Sequence, residues 1–215
     1  MSMKTQWLRK GFSLTAAMVC ALSIPIGSSQ AALVTYSFTG MTDAPTALTV
    51  FGSFQFDNAT GGTGGVYNGA VRGFSLTIGD YTSTFAPGIN GVQISRNSDL
   101  GGGLSGDRWK LVSAATGPEL GGTVPFSFDL HLDREGGGLF VNTALQDPPS
   151  FGSLSEARWR LFFEGPRGIP FAFVGSIASL TAVPLPPAVL LFGMGLIALV
   201  GLGVGGLRNL RAGQG

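Results

Sequence analysis

The only histidine of the chain, His131, lies between Asp129 and Asp133 in a segment where apolar and polar residues alternate. Alternation predicts a β-strand, and residues two apart in a strand share a face, so these three polar side chains should point the same way. A histidine between carboxylates could act as a general base or hold a metal ion with them. Same-face neighbours are about 7 Å apart, however, which is too far for three ligands of one small ion without adjustment.

A catalytic role for His131 would also need a nucleophile that the fold brings to it. Serine is abundant, but the chain has no G-x-S-x-G nucleophile motif. We therefore interpret Asp129, His131 and Asp133 as a solvated polar face. The sequence predicts no catalytic, metal or cofactor residue and a protein that is not an enzyme, with a secreted hydrolase as the least favoured alternative.

Two glycine-rich stretches resemble ligand loops only in part. Residues 99–107 place Asp99 and Asp107 at the ends of such a stretch, and oxygen-rich loops can bind calcium. The spacing is not that of an EF-hand, and Gly-Asp is ordinary turn chemistry, so we favour a turn and leave calcium as the alternative. Residues 61–65 lack the lysine and the following helix of a phosphate loop.

Two similar pentapeptides, at 107–111 and 157–161, each place a tryptophan and a leucine on one face of a strand and two cations on the other. The favoured interpretation is that Trp109 and Trp159 are core residues and that the cations are solvated. The alternative is a paired aromatic and cationic platform for an acidic glycan.

Period-two alternation is the dominant pattern of the chain, and no part of residues 32–183 shows a helical period. The sequence therefore predicts an all-β fold, a single antiparallel β-sandwich or jelly-roll-like domain over residues 32–182. The clearest predicted strands are 34–39, 48–56, 74–78, 126–132 and 171–177, with others near 90–96, 107–114, 139–145 and 156–164.

Composition excludes several classes of protein. Of 215 residues, 44% are hydrophobic, 35 are glycine and one is cysteine, which permits a core but excludes a disulfide scaffold or a zinc-thiolate site. The net charge is +1 for the whole chain, but residues 32–183 hold eight basic and twelve acidic residues, a net of −4. Nucleic acid is therefore not an expected partner.

The N-terminus has the three parts of a secretory signal peptide. Lys4, Arg9 and Lys10 precede an uncharged apolar stretch, which is followed by small residues. This order predicts a signal peptide over residues 1–31, cleaved between Ala31 and Ala32. The apolar stretch is short for a membrane span, which needs about 20 residues.

The C-terminus carries a second apolar block, residues 188–207, which contains no charged side chain. At about 1.5 Å per residue a helix of this length crosses the hydrocarbon core of a bilayer. Arg208 and Arg211 follow, and such basic residues favour a cytoplasmic tail over residues 208–215. A proline-rich segment precedes the block and should be extended; it consists of Val183, Pro184, Leu185, Pro186 and Pro187.

This order of proline motif, glycine-containing apolar helix and basic end, over residues 183–215, resembles a PEP-CTERM sorting signal of the VPLPA-type variant. Leu185 stands where the PEP form has glutamate, as in that variant, and Arg208 and Arg211 are separated rather than adjacent. The resemblance implies an exosortase substrate of a Gram-negative bacterium, held transiently in the inner membrane through residues 188–207 with its domain on the periplasmic side.

The resemblance further implies release to the cell surface or to an exopolysaccharide, biofilm-type matrix. We therefore expect an exported protein of structural or adhesive role, with exosortase and extracellular polysaccharide as partners. A secreted carbohydrate-binding module is the alternative.

Overall fold

A computed structural model of the chain describes residues 33–43, 45–165 and 168–183. The predicted signal peptide with its Ala31–Ala32 cleavage site lies outside the described residues, as do the apolar block 188–207 and the basic residues Arg208 and Arg211. Of the proline-rich motif, only Val183 is described. Within the described ranges, no helix is long and apolar enough to cross a membrane.

The described residues form an all-β domain, as the alternating pattern predicts. It also contains a short 3₁₀ turn at Phe151–Ser153. The strands are β1 (Leu33–Thr42), β2 (Thr49–Asp57), β3 (Val66–Asn68), β4 (Val71–Ile78), β5 (Tyr81–Phe85), β6 (Gly91–Gly101), β7 (Leu104–Thr116), β8 (Pro125–Glu135), β9 (Glu156–Phe163) and β10 (Phe171–Val183).

The ten strands form one antiparallel sheet that closes on itself. Its order is β3-β6-β7-β5-β4-β2-β1-β10-β9-β8, and β8 pairs again with β7. The ring is closed by a short pairing of β5 with β7, which joins Thr84 to Thr116 and Phe85 to Ala115. Apart from β3 and β6, the order around the ring follows the chain, so the long crossing connections of a jelly roll are not found in the described residues.

The two halves of the closed sheet face each other across an aromatic core. The rings of Phe74 on β4 and Phe128 on β8 stack with centroids 4.2 Å apart. Phe54 on β2 lies 6.0 Å from Trp109 on β7. The sheet therefore packs like a sandwich, with inward side chains from both halves interdigitating.

The predicted strands near 48–56, 74–78, 107–114 and 156–164 are confirmed, but residues 139–145 form a loop. In that loop the N–H groups of Leu139 and Phe140 bind the carboxylate of Asp107. The carbonyl of Thr143 accepts from the hydroxyl of Tyr67. Because side chains satisfy these backbone groups, the segment does not need a neighbouring strand.

Candidate functional site

The outer side of β7, β8 and β9 carries a lattice of charges, which we call the charged face. Because β8 lies between β7 and β9, the two similar pentapeptides flank the His131 segment. In register across the three strands lie the rows Arg108–Asp133–Glu156, Lys110–His131–Arg158 and Val112–Asp129–Arg160.

Asp129 is the centre of this lattice, and its side chain is only 7% exposed. Arg160 donates to its carboxylate from Nε at 2.8 Å and from Nη2 at 2.6 Å. His131 Nε2 lies 3.5 Å and Lys110 Nζ 3.8 Å from Oδ2. Burial alone would raise the pKa of Asp129, but the hydrogen bonds and charges of His131 and Arg160 outweigh it and lower the pKa to about 2.

Asp133 is held in the same manner by the first pentapeptide. Arg108 donates to both carboxylate oxygens, from Nε at 2.8 Å and from Nη2 at 2.7 Å, and also to the carbonyl of Leu100. The hydrogen bond to Asp133 raises the pKa of Arg108. The predicted solvated polar face is therefore wrong, because both aspartates are buried beneath cations that bind them.

The geometry around His131 is that of an ion-pair network. Its Nε2 lies 3.1 Å from Nη2 of Arg160 and 3.5 Å from Oδ2 of Asp129, so this ring nitrogen is shared between an arginine and an aspartate. Among the described residues no group of three His, Cys, Asp or Glu side chains is placed to hold a metal ion.

Asp107 lies on the opposite, inner side of β7 and is buried. It accepts three backbone N–H groups, from Asn97 at 3.0 Å, Leu139 at 2.8 Å and Phe140 at 3.1 Å. Burial would raise its pKa, but these hydrogen bonds lower it below the usual value. A carboxylate engaged in this way is not free to join Asp99 around a calcium ion, so the structure argues against the calcium alternative.

The two tryptophans are core residues, and that interpretation is confirmed. Trp109 and Trp159 are fully buried, and Nε1 of Trp109 donates to the carbonyl of Gln146. A glycan platform built on these two rings is wrong, because no ligand can reach them. Of the cations beside them, Arg108 and Arg160 are hydrogen-bonded to carboxylates, and Lys110 lies 3.8 Å from one.

A different aromatic pair borders the charged face, at the start of β8 and the end of β9. The rings of Phe126 and Phe162 lie 6.2 Å apart and are tilted by 44°. The guanidinium carbon of Arg160 lies 5.3 Å from the centroid of Phe162. Phe126 is 46% exposed, so the chain does present aromatic rings beside cations, at positions other than the tryptophans.

The other outer side of the sheet, on β10, β1, β2, β4 and β5, contains mainly hydroxyl groups, with the ion pair of Arg72 and Asp57 at one end of β2 and β4. We call its two central rows the hydroxyl face. In register they run Thr181–Ser37–Ser53–Ser75–Thr84 and Ser179–Thr39–Phe51–Thr77–Thr82.

Neighbouring hydroxyls of this face pair with each other. Thr39 Oγ1 and Ser179 Oγ are 2.7 Å apart, and Thr77 Oγ1 and Thr82 Oγ1 are 3.1 Å apart. Phe51, which is 58% exposed, is the one aromatic ring in the two rows.

Neither a family model, nor a curated protein, nor a solved structure matches this chain. The chemistry of the charged face, the hydroxyl face and the Phe126–Phe162 pair is therefore argued from their own geometry.

An open polar cleft of about 570 Å³ lies at the opposite end of β8 from Phe126 and Phe162. Two of its polar groups bind neighbouring backbone: Arg134 Nη1 donates to the carbonyl of Ser153, and Ser155 Oγ accepts from the N–H of Glu135. The cleft is open rather than enclosed.

Sequence reasoning missed both phenylalanines of the Phe126–Phe162 pair. A signal existed for Phe162, because it stands two residues after Arg160 and so shares the face of the cations. No comparable signal existed for Phe126, which the alternation places on the same face as the buried Phe128. A register shift between Pro125 and Ser127 turns Phe126 outward.

Proposed function

We propose that this protein is exported, sorted at its C-terminus by an exosortase, and serves as a non-catalytic structural or adhesive protein of the cell surface or of an exopolysaccharide matrix. The sequence support is the signal peptide 1–31 and the tail 183–215, which resembles a VPLPA-type PEP-CTERM signal. The inner membrane would hold the chain through residues 188–207 until the tail is processed.

The structural observation that carries the proposal is the position of the two ends of the domain. The first and last strands are neighbours, and Thr35 pairs with Val183. The domain therefore begins and ends on one side, and Phe171, at the start of β10, lies at the other. A domain tethered through Val183 would present its far end, with the loops beside Phe171, away from the membrane.

The side chains of the domain support a role without catalysis. His131 faces Arg160 and Asp129, and the buried carboxylates of Asp107 and Asp133 accept hydrogen bonds from backbone or arginine donors. These groups stabilise the fold, and such full engagement is typical of structural networks.

The test follows two tags on the full chain in a host that has the matching exosortase. One tag follows Gly215, and the other is inserted between Gly121 and Gly122, where a side chain added at either position would meet no neighbouring atom. We expect the tags to separate, and the separation to be lost when the exosortase is deleted or Pro184, Pro186 and Pro187 are replaced by alanine.

A matched control replaces Pro148 and Pro149, a proline pair outside the tail, by alanine, and the tags should still separate. If both tags stay on one full-length membrane species in the unmodified host, the tail is a plain anchor and the proposal is wrong.

The alternative, a secreted carbohydrate-binding module, is favoured by one observation, the exposed Phe126 next to the half-buried Phe162 and Arg160. Aromatic rings offer sugars a flat apolar surface, and a neighbouring cation adds selectivity for charge. The two roles are compatible, since an adhesive matrix protein needs a surface that binds its matrix.

A further inference from the structure

We propose that Lys110, Arg160, Phe162 and Phe126 form a binding site for a polysaccharide that bears carboxylate groups, a polymer of uronic acids. The inference rests on the proposed extracellular placement and names the ligand through which adhesion would occur.

The cationic part of the site is an excess of positive charge over one buried carboxylate. Lys110 and Arg160 both approach Asp129, at 3.8 Å and 2.6 Å, so two fixed positive charges meet one negative charge. The carboxylate of Asp129 is buried, whereas the side chain of Arg160 is 39% exposed. The exposed charge in the row next to Phe162 is therefore cationic, and the exposed carboxylate of Glu156 lies two rows farther along β9, where it pairs with Arg158.

Lys110 has donor capacity to spare. Its ammonium lies 3.8 Å from Asp129 Oδ2, beyond hydrogen-bond distance, and no hydrogen bond joins it to another described residue. Its register neighbour His131 is turned to Arg160 and Asp129 instead. An ammonium with three available donors beside a guanidinium is suited to the carboxylate of a ligand.

The apolar part of the site follows directly along the strand. Phe162 stands two residues beyond Arg160 on the same face, about 7 Å along β9, and its ring already receives the guanidinium at 5.3 Å. Phe126 extends this surface from the neighbouring strand. A sugar ring could place its C–H face on these rings while its carboxylate reaches Arg160 and Lys110.

The location of the site agrees with this occupant. Phe126 and Phe162 lie at the end of the sheet where β10 begins, and Val183 lies at the other end of that strand. A chain tethered beyond Val183 would thus hold the site away from its anchor. A sugar polymer outside the cell is accessible to a site so placed, whereas the bilayer that holds the tether is not.

The test measures binding of the full chain, in detergent micelles, to immobilised polygalacturonate. Neutral dextran and dextran sulfate serve as comparison polymers. We expect binding to polygalacturonate that weakens as salt is added, because exposed charges are screened. Lys110→Gln should weaken it about tenfold, since a charged hydrogen bond is lost, and Phe162→Ala about fivefold.

Two matched variants separate the site from a general effect of charge or hydrophobicity. Arg72→Gln removes an exposed cation paired with Asp57 outside this site, and Phe51→Ala removes the exposed ring of the hydroxyl face. Both should bind polygalacturonate as the unmodified chain does. Near-ultraviolet circular dichroism of each variant shows whether the core is intact.

Four results would each refute the proposed site. They are no binding to polygalacturonate, equal binding to neutral dextran, binding to dextran sulfate alone, and an equal loss of binding in the two matched variants. Export and tail cleavage are measured separately by the two tags. A chain that is sorted but does not bind refutes this inference and leaves the proposed function standing. A chain that binds but is not cleaved refutes the sorting by an exosortase and leaves the binding site standing.

Discussion

The charged face and the hydroxyl face belong to one closed sheet and arise from the same alternation of residues, yet they use opposite polar chemistry. Around Asp129 a short acidic side chain is covered by long cationic ones from both neighbouring strands. Around Thr39 a short hydroxyl meets another short hydroxyl, and both lie close to the sheet. A polar position in a strand is therefore solvated or buried according to what its cross-strand neighbours can place over it.

The difference also determines how each face responds to the loss of one partner. A hydroxyl both donates and accepts, so water replaces a lost neighbour easily. A buried carboxylate or its guanidinium partner cannot be left alone without a large desolvation penalty. The four changes below test this contrast, beginning with the core that both faces share.

Gly52→Ala should be the most destabilising of these changes. A Cβ at this position of β2 would overlap the ring of Phe38, which lies directly over the glycine. The ring has no free space to enter, because Phe38 also packs against Phe128. We expect a loss of about 3 kcal/mol in the free energy of unfolding, measured by urea denaturation with tryptophan fluorescence. Ser53→Ala, one residue along on the outer face, should change it by less than about 0.5 kcal/mol.

Asp129→Ala should rank second. The change leaves Arg160 and Lys110 without their carboxylate, but Arg160 can turn to water because its side chain is partly exposed. We therefore expect about 2–3 kcal/mol, less than for a fully buried pair. Arg72→Gln, which breaks the exposed pair with Asp57, serves as the surface reference and should lose less than about 1 kcal/mol. Equal losses at the two positions would mean that burial of Asp129 has no energetic consequence.

Acid should destabilise the domain in part through the charged face. The pKa of Asp129 is about 2 in the folded protein and about 3.9 in an unfolded chain. Because the folded value is the lower one, its stabilisation is complete above about pH 4 and is lost as the pH falls toward 2, by about 2 kcal/mol. Thermal melting of the unmodified chain and of Asp129→Asn from pH 5 to pH 2 measures this. The asparagine variant should lose less stability over that range, and identical pH slopes would contradict the assignment.

Thr39→Val should have the smallest effect of the four. The change removes the hydrogen bond to Ser179 but keeps a β-branched side chain of similar shape in β1. We expect the free energy of unfolding to change by less than about 1 kcal/mol, without dependence on pH. A loss as large as that of Asp129→Ala would show that the hydroxyl pairs are as important to stability as the ion pairs.

Alternation was sufficient to predict the fold class and most of the strands, because the period of two depends only on which residues face the core. It failed at residues 139–145, where Asp107 satisfies backbone groups that a strand would otherwise share with a neighbour. It could not predict the strand order, because the closing pair of β5 and β7 joins residues distant in sequence through two positions only.

The candidate site was less predictable than the fold. The pentapeptides correctly placed Trp109 and Trp159 in the core, but the burial of Asp129 depends on β8 lying between the two pentapeptides, and sequence spacing does not contain that information. The outward turn of Phe126 depends on a single register shift. Such features follow from pairing across strands and were visible only once the register was known.

The neighbouring positions of the first and last strands determine how the domain would bear tension. A pulling force applied between Phe126 and Val183 acts along the strands. It loads the hydrogen bonds that join β10 to β1 and β9 in shear and at the same time. A pull between Leu33 and Val183 starts from one end of the β1–β10 pair and opens it one bond at a time. Single-molecule pulling through the first pair of points should require the larger force, so a matrix protein held at its tail and loaded at its far end would be tethered in its mechanically stronger direction.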